Sequence, residues 1–349
     1  MNLSFDPNAP AALDSGIYGL PFSESEALVV LVPVPWEVTT SYGGGTARGP
    51  GAILEASRQV DLYDLDVEKP YQAGIFMLPE DERVQGWNDE GRRLAHTIID
   101  AGGIVDSPDG ERNLARVNEL SAKLNAWVFA ETQRLLQAGK IVGVVGGDHS
   151  VPFGAIEALA QHHPAGIGIL HFDAHSDTRN AYEGFTFSHA SIMHNVLERL
   201  PGVKKIVQVG IRDVCEEEME YVAKQGERVS VFLDRTISRR KMMGESFAAI
   251  TRDIVGVLPQ EVWVSFDIDG LDPRFCPHTG TPVPGGIDFA EAVFVINEVV
   301  RSGKTIVGFD LNEVAPGPDG EEWDGNVGAR LLYKLIGLTL ASQGRAKLR

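Results

Sequence analysis

Three ligand-type side chains occupy alternate positions in the segment LHFDAHSDTR, which runs from Leu170 to Arg179. They are Asp173, His175 and Asp177. Because side chains of an extended segment alternate between its two faces, all three can point toward the same space. An isolated Asp-x-His-x-Asp sequence is also typical of a solvated turn, since aspartate favours turns. This segment alone therefore leaves two interpretations, a turn and a metal site.

Two further segments favour the metal site. Val145 to Ser150 reads VGGDHS and includes His149. Val264 to Pro273 reads VSFDIDGLDP, and its residues Asp267 and Asp269 are again two positions apart. All three segments follow apolar runs rich in β-branched residues, which is typical of buried strands. Open α/β sheets bind their ligands at the carboxyl ends of the strands, where these segments would meet.

The candidate ligands comprise two imidazoles and four carboxylates. They are His149, Asp173, His175, Asp177, Asp267 and Asp269. This oxygen-rich set without a thiolate suits Mn²⁺ better than a structural Zn²⁺. Six side chains are too many for one ion with an open position, and four adjacent carboxylates cannot all stay ionised without cations. We therefore expect two divalent ions. Ions held about 3.5 to 4 Å apart would lower the pKa of a water that bridges them, which favours a hydrolytic reaction.

Strand and helix patterns alternate along the chain and would position these ligands. Apolar runs predict strands at 27–34, 141–145, 166–172, 205–209, 229–233, 261–266 and 305–310. Helices are predicted at about 113–137, 152–161, 245–257, 289–301 and 327–342, with a further one beginning near 216. Such alternation indicates right-handed crossovers and a parallel sheet covered by helices on both faces.

The chain of 349 residues, 43% of them hydrophobic, is long enough to bury one large α/β core, although length alone also allows two domains. We assign residues 26–349 to a single domain. Residues 1–25 are rich in Pro, Ala, Ser and Gly and predict a surface extension. Residues 80–112 are polar and poorly periodic, which predicts a surface insertion with short helices.

The formal net charge of −18 argues against a nucleic-acid or anionic-membrane partner and is compatible with a cationic substrate. An ordinary acidic soluble protein explains this charge equally well. The two cysteines, Cys215 and Cys276, imply no disulfide framework. We find no secretory leader and no apolar run approaching the roughly 18 residues of a membrane span, so a cytoplasmic location is expected.

The segments VGGDHS, FDAHSD and SFDIDGLDP, in this order and at these separations, resemble the three signature motifs of the ureohydrolase family, which contains arginase, agmatinase and related guanidino-compound hydrolases. The similarity runs from SYGGGTARGP at 41–50 to the final helix. It implies a three-layer α/β/α sandwich around a mainly parallel sheet of about eight strands. It also implies a dinuclear manganese site, release of urea, and a homo-oligomer, either a trimer or a hexamer.

The resemblance assigns each candidate ligand to an ion. One ion would bind His149, Asp173, Asp177 and Asp267, and the other Asp173, His175, Asp267 and Asp269. Asp173 and Asp267 would then bridge the ions, and Asp177 would also act in catalysis by accepting a hydrogen bond from the attacking hydroxide. Mn²⁺ is the family's metal, but Co²⁺, Ni²⁺ and Zn²⁺ accept the same ligands.

Other residues match the family outside the metal ligands. His189, in YEGFTFSHAS, matches a loop histidine that passes protons to the leaving amine and contacts substrate; a packing role is the alternative. Glu313, in GFDLNEVAP, matches a catalytic carboxylate that pairs with the guanidinium; a surface glutamate is the alternative. Thr279 and Thr281, in HTGTP, match a substrate loop, although His278 stands where small residues are common in the family.

The loop TRNAYEGFTFSHAS, which follows Asp177, resembles agmatinase loops more than arginase loops. Agmatine, hydrolysed to putrescine and urea, is therefore the first candidate substrate. Arg179 and Asn180 lie in this loop as candidate substrate-binding residues and keep a guanidino acid open, since arginine can receive a carboxylate. Arginine, formiminoglutamate and free guanidine are the remaining candidates.

Two other classes of protein compete with this hypothesis. Deacetylase-like amidohydrolases have a similar fold but use a single zinc and fewer ligands, so the number of metals per chain distinguishes them. A non-catalytic relative that binds a metabolite is the second, and the complete ligand set disfavours it. Release of urea by the purified protein separates this class from a hydrolase.

Overall fold

A single eight-stranded sheet forms the centre of the molecule, and all of its strand pairs are parallel. The computed structural model describes residues 5–349, with the backbone alone at position 319. The strands are β1 (Val29–Val34), β2 (Val67–Glu68), β3 (Ile75–Met77), β4 (Ile141–Gly146), β5 (Ile167–Phe172), β6 (Val203–Val209), β7 (Val229–Phe232), β8 (Glu261–Asp267), β9 (Thr305–Asn312) and β10 (Lys347–Leu348). Their order across the sheet is β3-β1-β4-β9-β8-β5-β6-β7, and β2 pairs with β10 separately.

Ten helices cover the two faces of this sheet within the described residues. They are α1 (Gly49–Ser57), α2 (Glu82–Ile99), α3 (Pro108–Gln137), α4 (Phe153–His162), α5 (Ile192–Arg199), α6 (Glu216–Lys224), α7 (Asp234–Met242), α8 (Phe247–Gly256), α9 (Phe289–Arg301) and α10 (Trp323–Ser342). One face packs against α1 and α7 to α10, and the other against α2 to α6. None of these helices is long and apolar enough to cross a membrane.

The strands bury side chains on both faces, which explains their continuous apolar sequences. In β1, Val29 and Leu31 belong to the core on one side of the sheet, and Val30 and Val32 belong to the core on the other side. The alternation of successive strand residues supplies both cores from one short segment. The expected three-layer α/β/α sandwich with about eight parallel strands is therefore confirmed.

The predicted strands agree with the observed ones to within two residues at each end, and α9 has the predicted bounds. The short edge strand β3 and the helices α5 and α7 were not predicted. Three residues are too few to show a strand period. In α7, Ile237 is the one buried residue, so the helix carries almost no apolar pattern.

The stretch 80–112 differs from the predicted short helices. It contains the whole of α2, which has 18 residues, and the first turn of α3. Val84, Ala95 and Ile98 lie fully buried on one face of α2, in the core that α3 also supplies. Val84 and Ala95 are eleven positions apart, which is about three helical turns, so both lie on the same narrow apolar stripe of the helix. The polar composition of the segment hides this stripe in the sequence.

A surface extension was expected at residues 1–25. Positions 1–4 of it lie outside the described residues. Of the remainder, Ile17, Tyr18 and Leu20 are buried and belong to the same core as α10. The Tyr18 hydroxyl donates a hydrogen bond to the carbonyl of Ala329 at 2.9 Å. The segment around these residues is therefore packed into the domain rather than lying wholly on its surface, because Tyr18 contacts Ala329 and Tyr333 of α10.

Candidate metal centre

The candidate ligands follow neighbouring strands at the middle of the sheet. β4, β9, β8 and β5 are consecutive in the sheet order, and their carboxyl ends open onto the same edge. His149 follows β4, Asp173 follows β5, and Asp267 ends β8. Glu313 directly follows β9, the strand between β4 and β8. Residues that are far apart in sequence are thereby brought to one place.

His149 lies at the centre of a first group of ligands. Its Nδ1 is 3.0 Å from Oδ2 of Asp173, 3.2 Å from Oδ2 of Asp267 and 3.4 Å from Oδ2 of Asp177. Its Nε2 is 2.9 Å from the hydroxyl of Ser265. This contact leaves Nδ1 as the nitrogen that faces the carboxylates.

A second group shares Asp173 with the first. The Nδ1 atom of His175 is 3.1 Å from Oδ2 of Asp269 and 3.5 Å from Oδ1 of Asp173. The two oxygens of Asp173 thus face different histidines, Oδ2 facing His149 and Oδ1 facing His175. A carboxylate in this position can bridge two ions. The structure therefore brings all six sequence-predicted ligands together in two adjoining groups.

His171 also belongs to this centre, and the sequence interpretation missed it. Its Nε2 is 2.8 Å from Oδ2 of Asp173, and its Nδ1 is 3.1 Å from Nε2 of Gln208. The residue lies in β5, two positions before Asp173 and hence on the same face of the strand. That spacing was the available signal, but an apolar run around a histidine is equally typical of a core strand.

Asp177 and Glu313 both have left-handed backbones, with φ of 55° and 62°. Such angles are uncommon outside glycine and concentrate at functional sites. Glu313 is fixed on three sides: its N–H donates to the Gly147 carbonyl at 2.7 Å, its Oε1 accepts from the His149 N–H at 2.9 Å, and its carbonyl accepts from the Thr279 hydroxyl at 2.8 Å. The carboxylate is consequently held beside the ligand groups.

The buried carboxylates repel one another. Burial, followed by the charges of Asp173 and Asp267, raises the pKa of Asp177 well above its usual value. Burial and the charges of Asp269 and Asp173 do the same to the pKa of Asp267. For Asp173, burial alone would raise the pKa, but hydrogen bonds from His149 and His171 outweigh it and hold the pKa well below its usual value. The site therefore has an excess of negative charge.

The imidazoles supply the compensating charge when they are protonated. Burial would lower the pKa of His175, but Asp269 and Asp173 raise it to about 12. Burial is likewise outweighed at His149, where hydrogen bonds to Asp173 and Asp267 hold the pKa well above its usual value. Cations bound among these groups would replace the two protons and neutralise more of the negative charge. The donor set fits divalent ions in this respect and in its oxygen-rich composition.

A cavity of about 140 Å³ opens beside the ligands. His189, Glu313 and Arg179, which are candidate substrate-binding residues, line it. Asn180 lies outside it on the exposed surface, and it lines a neighbouring cavity instead. Thr279 is buried against Glu313 and does not line the site cavity. The substrate role predicted for Thr279 and Asn180 is therefore not supported by their positions.

Thr281 and His278 have different positions in the HTGTP loop. Thr281 lines the site cavity, and its hydroxyl is 3.4 Å from Oδ2 of Asp269. His278 turns away to Asp324 at the start of α10, with its Nδ1 2.9 Å from Oδ2 of that residue. The larger residue at position 278 is thus accommodated outside the cavity.

Comparisons with known proteins agree with this geometry. The Arginase family model matches residues 27–337. The N(1)-aminopropylagmatine ureohydrolase of Thermus thermophilus is 32% identical over 318 residues, which is 90% of each chain. The agmatinase of Bacillus subtilis is 28% identical over 90% of this chain and 92% of its own. The crystal structure of a hypothetical agmatinase from Burkholderia thailandensis superimposes with a TM-score of 0.71 at 22% identity, covering 97% of this chain and 93% of that one, and shows the same fold. This chain therefore belongs to the arginase family.

Proposed function

We propose that this protein hydrolyses a guanidino compound to an amine and urea with two divalent ions, and that agmatine is its substrate. The observation that supports the proposal most directly is the sharing of Asp173 between two ligand groups, one that includes His149 and one that includes His175. The first ion would be held by His149, Asp173, Asp177 and Asp267, and the second by Asp173, His175, Asp267 and Asp269. Bound together, such ions activate water as a nucleophile at neutral pH.

Glu313 would hold the guanidinium. Burial raises the pKa of Glu313 well above its usual value, and the charges of Asp267 and Asp148 add to this effect. A cation beside Glu313 would favour its ionised form, because this side chain has no other positive partner among the described residues. Gly280 leaves room there, because a Cβ atom at that position would lie 3.3 Å from Oε2 of Glu313. A planar guanidinium can donate two hydrogen bonds to this carboxylate.

His189 would transfer protons between water and the leaving amine. Burial, and then the charge of His175, lower the pKa of His189 to about 3, so the ring is neutral at physiological pH. The lowered pKa disfavours the protonated ring, so His189 would carry the extra proton only briefly, during its transfer from the nucleophile to the leaving amine. Its Nδ1 lies 3.3 Å from the Thr39 hydroxyl and 3.4 Å from the Ser188 hydroxyl, which leaves Nε2 for this transfer.

The charges at the cavity mouth favour a substrate with a cationic tail. Arg179 is paired with Glu218 at 3.4 Å and lies 4.7 Å above the ring of Tyr182. Its charge is therefore already compensated, which disfavours a guanidino acid. Asp213 also lines the cavity, is exposed, and forms no ion pair within residues 5–349. We propose that this carboxylate faces the primary amine of agmatine.

N(1)-aminopropylagmatine is the second candidate, since the most similar of the two relatives described above bears that substrate in its name. Both candidates have a positively charged tail and would use Asp213. We further propose that the ions are Mn²⁺, that the protein acts in polyamine metabolism in the cytoplasm, and that it forms a homo-oligomer, either a trimer or a hexamer. Metal content and sedimentation of the purified protein test the number of ions and of chains.

A urea-release assay tests the proposed reaction. Agmatine, N(1)-aminopropylagmatine, arginine, guanidinobutyrate, guanidinopropionate and guanidine are each supplied with Mn²⁺, Co²⁺, Ni²⁺ or Zn²⁺. We expect the highest kcat/KM for one of the first two substrates with Mn²⁺. No urea from any substrate, or one bound zinc per chain, would contradict the proposal.

Asp213→Asn tests the recognition of the amine. We expect about a tenfold higher KM for agmatine and no change for guanidine, which has no tail. Glu217→Gln is the matched control, because Glu217 is an exposed carboxylate nearby that does not line the site cavity. If both variants changed KM for agmatine equally, general surface charge and not Asp213 would be responsible.

A further inference from the structure

Thr39 contacts both the backbone and the ring of His189. Thr39 is fully buried in the loop after β1. Its Oγ1 lies 3.0 Å from the backbone nitrogen of His189 and 3.3 Å from Nδ1 of the ring. A backbone N–H can only donate, so the threonine oxygen accepts there, and the hydroxyl proton remains free for Nδ1 of the neutral ring.

The same contact is compatible with both protonation states of His189. When the ring is neutral, the Thr39 hydroxyl donates to Nδ1, and the ring proton is on Nε2. When the ring is protonated, Nδ1 carries a hydrogen, and the threonine oxygen can accept it while its own hydrogen turns away. A group that gains and loses a proton in each turnover can therefore keep its orientation.

Helix α2 fixes the loop that carries Thr39. Oδ1 of Asn88 accepts the N–H of Glu37 at 2.8 Å. The guanidinium of Arg92 donates to the carbonyl of Glu37 at 3.0 Å and to the carbonyl of Thr40. Since residues 88 and 92 are four apart, both side chains project from one face of the helix. They hold the backbone on both sides of Thr39.

Close packing adds to these hydrogen bonds. Gly91 lies on α2 between the two polar residues, and a Cβ atom there would be 2.8 Å from Cγ2 of Val38. Glycine thus lets the helix approach the residue that precedes Thr39. The loop is positioned by both contact and hydrogen bonding.

We propose that Thr39 is a positioning residue for His189, orienting the ring so that Nε2 faces the substrate, and that α2 holds Thr39 in place. This inference rests on the proposed function, in which His189 transfers protons. It assigns a role in the reaction to a helix that contributes no residue to the ligand groups.

Replacement of the hydroxyl tests this role. Thr39→Val keeps the shape of the side chain, and Thr39→Ala removes the hydroxyl without placing a new methyl group against the ring. With either variant we expect kcat for urea release to fall about tenfold, as for the loss of the hydrogen bond to the ring, while KM changes less than about twofold. Thr39→Ser retains the hydroxyl and should restore kcat to within about threefold of the wild type.

Thr40→Val is the matched control. Thr40 is the next residue, is 2% exposed, and its hydroxyl makes no hydrogen bond to any described residue. Removal of this buried hydroxyl should leave kcat and KM unchanged. A loss at Thr40 as large as that at Thr39 would overturn the inference, because it would reflect the packing of the loop.

A double-mutant cycle with His189→Asn separates positioning from structure. If Thr39 acts through the ring, Thr39→Val in the His189→Asn background costs no further activity. Losses that multiply would overturn the inference, as would an unchanged kcat in Thr39→Val. A wild-type protein that releases no urea would overturn the proposed function. A wild type that releases urea, with an unchanged kcat in Thr39→Val, would overturn only the inference about Thr39, so the two failures are distinguishable.

Discussion

Replacement of Asp177 by asparagine separates the cost of burying a carboxylate from its use in binding ions. Asp177 is 5% exposed, and its Oδ2 lies 3.4 Å from Nδ1 of His149. Its backbone φ is 55°, an angle that asparagine adopts about as readily as aspartate. Asp177→Asn therefore removes one charge without straining the chain and with little change in shape.

Without ions, the variant should be the more stable protein. Asp173 and Asp177 offer ligand atoms within 4.8 Å of each other, where two unit charges repel by roughly 3 kcal/mol at an effective dielectric constant of about 20. His149 and His175 offset part of this repulsion, and burial adds to it. We expect Asp177→Asn to raise the free energy of unfolding by about 1–3 kcal/mol. For 349 residues the unfolding entropy is roughly 0.7 kcal/mol/K, so Tm should rise by about 1–4 °C.

This advantage should depend on pH. The pKa of Asp177 is higher in the folded protein than the value of about 3.9 in an unfolded chain. Between these two values the folded wild type binds more protons than the unfolded chain, so its stability falls as pH rises. Asparagine does not titrate. The gain in Tm should therefore be absent below the unfolded pKa, grow between the two pKa values and level off above the folded pKa.

With Mn²⁺ the order of stability should reverse. An ion present at a free concentration 100 times its Kd stabilises the folded state by about 2.7 kcal/mol. The variant lacks one ligand and should gain less of this stabilisation. Differential scanning fluorimetry in chelator and in Mn²⁺, at several pH values, measures both effects. Asp61→Asn, at an exposed aspartate, is the control for loss of a charge. If Asp177→Asn shifted Tm in the same direction with and without Mn²⁺, the carboxylate would not belong to an ion site.

Three further predictions follow from the contacts of the centre. Glu313→Gln should lower kcat/KM for agmatine by about 10²–10³-fold, since an amide cannot pair with the guanidinium, and an unchanged value in urea release would exclude Glu313 from substrate binding. Manganese affinity should rise with pH by up to about tenfold per pH unit for each proton displaced, because His149 and His175 must lose the protons that their raised pKa values favour. Calorimetry in several buffers counts the released protons, and a count of zero would contradict the assignment of these histidines as ligands. His171→Asn should weaken manganese binding about 10–100-fold through loss of its contact with Asp173, whereas the exposed control His162→Asn should not.

The sequence predicted the parts of this molecule that depend on local patterns. Strand β5 is a continuous apolar run, and the ligands Asp173 and Asp177 follow it at alternate positions, so both fold and site could be inferred there. His171 lies within the same run, where no local feature distinguishes a residue that orients a ligand from a core residue. Its role arises from the contact with Asp173, which also contacts His149 in the loop after a different strand, β4.

Helix α2 shows why the remaining parts could not be predicted. Its apolar stripe is narrow, since Val84, Ala95 and Ile98 are separated by polar residues, and the average composition resembles a surface segment. The contacts of Arg92 with the loop after β1 depend on how closely the two elements approach. That approach is set by tertiary packing and leaves no periodic signal. The sequence therefore located the ligands and the strands that precede them, but not the helix that holds the loop of Thr39.

The charges of the proposed complex explain why the substrate should be cationic. Five carboxylates face the ions or the guanidinium: Asp173, Asp177, Asp267, Asp269 and Glu313. Two divalent ions supply four positive charges, which leaves one carboxylate charge uncompensated. In the site without ions, burial and neighbouring carboxylates both raise the pKa of Glu313 and disfavour its ionised form. A guanidinium supplies the fifth positive charge beside Glu313, whereas a neutral substrate would leave a buried charge unpaired. Selection of a guanidino compound is in this respect a consequence of the same carboxylates that bind the ions.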